Sequence, residues 1–160
     1  MNAVAEDISA PALKQMLTFA LDTESYGVDI QRVQEIRGWS TPRHIPEAPH
    51  HVLGVLDLRG TIVPIIDLRT RIGMASIEPT TTTVIIVLSV MTDQGTRLYG
   101  IVVDAVSDVA DLDDSSLRPV PAMSGMSGNA EYLRGLVHQG DHMVLVLDID
   151  QMLGGDGMSF

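Results

Sequence analysis

Cysteine is absent from the 160 residues, which excludes disulfides, thiolate zinc ribbons, iron–sulfur clusters and thiol catalysis. Aromatic residues are scarce: Phe19, Tyr26, Trp39, Tyr99, Tyr132 and Phe160 make up 4% of the chain. A core must therefore come from Val, Ile, Leu and Met. Basic residues are also few, 10 against 21 acidic, for a formal charge of −11. That balance, with no run of Lys and Arg, opposes binding to nucleic acid or anionic lipid. No stretch approaches the roughly 18 apolar residues of a membrane span. The strongest, Val84 to Leu88 with Val90 and Met91 after Ser89, is far shorter. Glu6 and Asp7 stand where a secretory signal would have a basic start and an apolar stretch, so the expected location is the cytoplasm.

What is present is a hydrophobic fraction of 45%, enough for a core, in a length suited to one domain. Residues 1–15 lack periodicity and read as a loose tail, and 154–160 as a frayed end, which leaves 16–153 as the folded part. Within it, short β-branched runs alternate with turn residues, the pattern of an all-β fold. Expected strands are Met16–Leu21, Tyr26–Ile30, Val52–Leu58, Thr61–Ile66, Val84–Met91, Arg97–Val103, Leu133–His138 and His142–Leu147. Turn chemistry marks Arg59-Gly60, Asp93-Gln94-Gly95 and Gly140-Asp141. Pro64 inside a strand pattern predicts an edge or a bulge. Short helical turns are expected after Ile30 and after the capping residues Asp67 and Asp148.

An internal repeat carries more information. Tyr26-Gly27-Val28-Asp29-Ile30 is followed by Val33 and Ile36, and Tyr99-Gly100-Ile101-Val102-Val103 by Val106 and Val109 at the same spacings. Glu35 and Asp108 match as acids. Gly54-Val55 leads to Asp67-Leu68, and Gly135-Leu136 to Asp148-Ile149, each over an interval of 13. The second half has eight more residues between its landmarks. Two related β subdomains of about 65–70 residues follow, each so short of core that they must pack closely on each other.

Catalytic and metal readings fare poorly on spacing. His138 and His142 flank a turn, where they face each other across a hairpin or point to solvent, and His50-His51 has no acidic partner at a zincin interval. The run Asp104, Asp108, Asp111, Asp113, Asp114 lacks the Gly and Glu of a calcium loop, since Ser116 and Ala122 stand there, so it reads as a solvated acidic loop. Ser124-Gly125-Met126-Ser127-Gly128 is no nucleophile elbow and Gly154–Gly157 no phosphate loop. No metal and no cofactor are expected. Arg59 differs, because its counterpart is Gly140 and the repeat does not require it. An Arg on a tight turn suits paired bonds to a partner's carboxylate. Val33, Ile36, Val106 and Val109 stand at helical spacing and read as core, with a groove wall as the further possibility that their pairing suggests.

The segments YGVDIQRVQEIRG (26–38), GVLDLRGTIVPIIDLRTRIG (54–73), YGIVVDAVSDV (99–109), LRPVP (117–121) and YLRGLVHQGDHMVLVLDI (132–149) together resemble the CheW family of chemotaxis coupling proteins. The resemblance implies two intertwined SH3-like five-stranded β-barrels with short helices and no catalytic activity. It implies an adaptor that couples chemoreceptor tips to the regulatory domain of the histidine kinase CheA, so that receptors control kinase autophosphorylation. The protein would then work in the cytoplasm, held at the inner membrane through receptor complexes, with no insertion of its own. Further copies of the chain are a candidate partner. The resemblance places receptor contact at Val33, Ile36, Arg59 and Val109, with Val106 a neighbour, and kinase contact at Ile30 and, less directly, Val28. Glu35 is expected to pair with Arg59. Asp57 stands where the family has Asn, and His44 where it has Arg. The alternatives from residues alone are a small hydrolase using clustered carboxylates, or an adaptor of a non-swimming receptor pathway.

Overall fold

A computed structural model describes residues 14–120 and 132–154. The expected N-terminal tail through residue 13, the Ser124–Gly128 connection and the end from residue 155 lie outside them. Ten strands are joined by very short helices: β1 (Lys14–Leu21), β2 (Glu24–Asp29), β3 (Val33–Gly38), β4 (Val52–Leu58), β5 (Thr61–Asp67), β6 (Val84–Thr92), β7 (Gly95–Val103), β8 (Ala105–Leu112), β9 (Leu133–Gln139) and β10 (His142–Leu147). A 3₁₀ turn, Ile30–Arg32, follows β2. Helix α1 (Leu68–Arg71) follows β5, and α2 (Ile149–Leu153) follows β10. Asp67 and Asp148 cap them, accepting from the Arg69 N–H and the Gln151 N–H, each at 3.1 Å.

The strands form two five-stranded sheets, ordered β8-β1-β2-β10-β9 and β3-β6-β7-β5-β4. Adding five to each strand of the first half, and subtracting five in the second, converts one order into the other. The repeat is thus real in three dimensions, but neither sheet is one half of the chain. Each takes two leading strands from one repeat and three trailing strands from the other. The chain crosses between sheets twice, at Ile30–Arg32 and at Asp104.

Exchange gives two small halves a common core. Phe19, Leu21, Tyr26 and Val28 of the first sheet pack with Ile66, Ile86, Leu88, Tyr99 and Ile101 of the second in one cluster. Private clusters are smaller: Met16, Leu112, Val137, Val144 and Val146 in one sheet, and Leu58, Val63, Ile65, Ile85 and Val87 in the other.

Two features differ from the sequence reading. Val33–Gly38 and Ala105–Leu112 are strands, not helical segments or an acidic loop. Each contains a bulge. Gln34 is extra between Val33, opposite Leu88, and Glu35, opposite Val87, while Ser107 is extra between Val106, opposite Phe19, and Asp108, opposite Thr18. One inserted residue brings i and i+3 onto the same face of a strand, which imitates a helical period. The other concerns Pro64. It sits on an inner strand opposite Val55, and the β4–β5 irregularity falls beside it, between Val52 and Gly54. Val55 exchanges both backbone bonds with Arg43, on the far side of β4, so Pro64 owes β4 no N–H bond. Pairing of β5 with β7 begins only at Ile65. The missing donor is therefore not needed on either side.

Candidate functional site

Arg59 and Gly60 form the two-residue tip between β4 and β5, with φ of 55° and 91°. Both positive values describe the primed turn that twists with its strands, for which Asn-Gly or Gly-Gly is the easy choice. An arginine there carries about 1 kcal/mol of backbone strain. Asp57 supports the turn, its Oδ1 accepting from the Gly60 N–H at 2.8 Å. An Asn oxygen could do the same, so the departure at Asp57 changes surface charge without changing the turn. His44 is exposed on the β3–β4 connection.

The Arg59 side chain is 78% exposed, yet its Nη2 donates to Glu35 Oε1 at 2.8 Å. Arg37 Nη1 lies 3.6 Å from the other Glu35 oxygen. Since β3 and β4 stand at opposite ends of their sheet's order, this contact joins the ends and curls the sheet toward a barrel. In the other sheet Gln139 of β9 reaches the Asp111 carbonyl of β8 at 3.4 Å, the corresponding closure.

The matched apolar residues take equivalent places in the two sheets. Val33 and Val106 are half-buried and rest on the shared core. Ile36 and Val109 are each 44% exposed. They lie opposite Ile86 and Leu17, corresponding positions in the two sheets. Equal exposure at equal register is a property of the repeat, because random surface leucines and valines need not match in this way. Ile30, at the first crossing, is half-buried against the core. Val28 is wholly buried. The expectation of a direct partner contact at Val28 does not hold, because the residue lies on β2 inside the shared core, where no partner reaches.

Two ion-pair clamps hold the crossings and hence the relation of the edges. Arg69, at 7% side-chain exposure, donates from Nε and Nη2 to Asp104 at 2.9 and 2.7 Å, and from Nη2 to Asp22. Its Nη1 donates to the Ala75 carbonyl at 3.1 Å, and the Asp22 N–H donates to Asp104 at 2.8 Å. The Arg69 bonds hold the Asp104 carboxyl below the usual carboxylate range against the opposing effect of burial. At the other crossing Arg32 makes a bidentate pair with Asp150 at 2.8 and 2.6 Å and donates to the Ser89 carbonyl at 2.9 Å. Asp150 is likewise held low, chiefly by Arg32. The repeat reverses polarity here: Arg69 and Asp150 occupy matched helices, and their partners occupy matched crossings. Residue matching by type could not have found these clamps, since the signs are exchanged. Asp104 and Asp111, read from sequence as parts of an acidic loop, instead belong to a clamp and a strand.

His138 stands opposite Met143, not His142, and both histidines are exposed. Among the described residues no group of three or more His, Asp or Glu side chains is placed to hold a metal ion. No helix among them is long and apolar enough to cross a membrane.

A family model described as the CheW-like domain matches residues 15–156. The chain belongs to this family. It is 41% identical over 146 residues to the chemotaxis protein CheW of Klebsiella aerogenes, covering 91% of this chain and 85% of that protein. Against the chemotaxis protein CheW of Rhizobium meliloti the identity is 34% over 139 residues, covering 87% and 86%. The fold is similar to the crystal structure of the scaffolding protein TtCheW from Thermoanaerobacter tengcongensis, with a TM-score of 0.79 at 28% identity and 93% of each chain covered. The CheW-like family comprises chemotaxis scaffolds, not enzymes, and this chain is a chemotaxis adaptor of that kind. The family assignment retires the hydrolase alternative.

Proposed function

We propose that the protein couples the cytoplasmic tips of chemoreceptors to the histidine kinase CheA, acting in the cytoplasm beside the inner membrane. Receptor contact is assigned to Ile36, Val109 and Arg59, with Val33 and Val106 forming the floor below the two exposed side chains. Kinase contact is assigned to the surface around Ile30. The observation that carries this reading is the matched exposure of Ile36 and Val109 at 44%, together with a strained, outward Arg59 that folding does not require.

The energetics suit an adaptor. Full burial of an Ile or Val side chain is worth about 1.5–3 kcal/mol, and these are already partly covered, so each contact yields less. Association costs several kcal/mol in lost freedom. Single contacts are therefore reversible, and holding receptor and kinase together makes the second contact effectively intramolecular. A signal passes when the two arrangements of the receptor bind this surface unequally. Methyl-resolved NMR titration with a receptor-tip helical hairpin tests the assignment. The Ile36 and Val109 signals should move together, while that of Ile77, exposed on the connection between α1 and β6, stays in place. Movement of Ile77 alone would contradict it.

A further inference from the structure

The outer edge of β8 is closed by its own sequence. The Thr18 hydroxyl donates to the Asp108 carbonyl at 3.0 Å and accepts from the Asp108 N–H at 3.1 Å. Residue 108 thus turns both backbone groups toward β1. Backbone direction alternates along a strand, so Val109 turns its N–H to the other side, where β8 pairs with no strand. That N–H is not free. It donates to Oδ1 of Asp108 at 2.8 Å. Two residues on, the Asp111 carbonyl receives the Gln139 amide at 3.4 Å.

We propose that Asp108 is a specificity-determining residue, which bars strand-type partners, including the β8 edge of a second copy, from adding to this edge. An incoming strand would have to take the Val109 N–H from a carboxylate and bring its own carbonyl oxygen against that negative charge. A bond to a charged acceptor is stronger than the neutral backbone bond offered in exchange. The Val109 side chain remains open, so a partner can touch it with side chains but cannot extend the sheet. The matching position on β3 does not work this way, because Glu35 directs its carboxylate to Arg59 and Arg37. The two symmetry-related edges therefore differ in what they admit. The inference holds whichever partner meets Val109.

The test is self-association by sedimentation velocity over a dilution series. Asp108→Ala leaves the Thr18 bonds to the backbone in place but frees the Val109 N–H. It should associate about tenfold more tightly than wild type, the loss of one charge-assisted bond worth about 1.4 kcal/mol. Asp108→Asn keeps an acceptor oxygen but loses the charge, and should gain less than Asp108→Ala. Adding Val109→Pro to Asp108→Ala removes the edge donor without touching the β1 ladder, and should abolish the gain. Three results would each overturn the proposal: no tighter association in Asp108→Ala, the same gain in Asp108→Asn, or a gain that survives Val109→Pro.

Discussion

Under the proposed receptor contact, Arg59 is the residue at which folding and binding disagree. Its φ of 55° belongs to a turn that prefers Asn, and the exposed pair with Glu35 returns at most a few tenths of a kcal/mol to about 1. Arg59→Asn should therefore raise stability by about 0.5–1 kcal/mol in urea unfolding while weakening receptor coupling. A variant that loses stability would mean that the Glu35 pair outweighs the strain. Asp104 and Asp150 respond to acid. Their carboxyls are held below the unfolded value of about 3.9, so the unfolded chain binds their protons first as pH falls. Their contribution is present above that value and is lost as pH drops from about 4 through the lower folded-state values. Stability measured across that window should fall more gently in Asp104→Asn than in wild type. Parallel curves would show that the Arg69 clamp does not set the acid limit.

At the level of elements, the repeated glycines mark where connections close over the sheets. Gly54 has φ of 149°, and a Cβ there would lie 2.1 Å from the Arg43 carbonyl oxygen. Gly135 meets Arg118 in the same manner at 2.6 Å. Each connection forms a two-bond bridge to the residue after the glycine, Arg43 with Val55 and Arg118 with Leu136. Gly54→Ala should cost about 2 kcal/mol or more, from backbone strain and a displaced bridge. Urea unfolding of Gly54→Ala and Gly135→Ala should show losses of similar size, and a neutral Gly54→Ala would remove the closure argument. The eight strands marked by β-branched runs and turns were legible from sequence because their period is unbroken. Strands β3 and β8 were not, because Gln34 and Ser107 shift the phase within a few residues. The Asp67 and Asp148 caps were legible because capping is local. The clamps were not, since Arg32 and Asp150 lie far apart in sequence and their polarity is opposite to that of Asp104 and Arg69.

For the whole molecule, the doubled pattern around the two Tyr-Gly pairs disclosed two related units, and the residue motifs disclosed their family. Spacing alone could not show which leading strands join which trailing strands, because a contiguous barrel and an exchanged one have the same hydrophobic periodicity. The exchange matters for function. Edge strands β3 and β8, with Ile36 and Val109, begin immediately after the two crossings, and the clamps at Arg32 and Asp104 fix those crossings against the shared core. A scaffold whose proposed binding edges are anchored in this way would transmit a change in one partner's position to the other without chemistry of its own. Reconstitution of receptor, kinase and this protein, read as receptor control of kinase autophosphorylation, tests that account most directly. Wild type should restore control, and Arg59→Ala and Val109→Glu should each lose it while keeping an unfolding free energy within about 1 kcal/mol of wild type. Full control by both folded variants would contradict it.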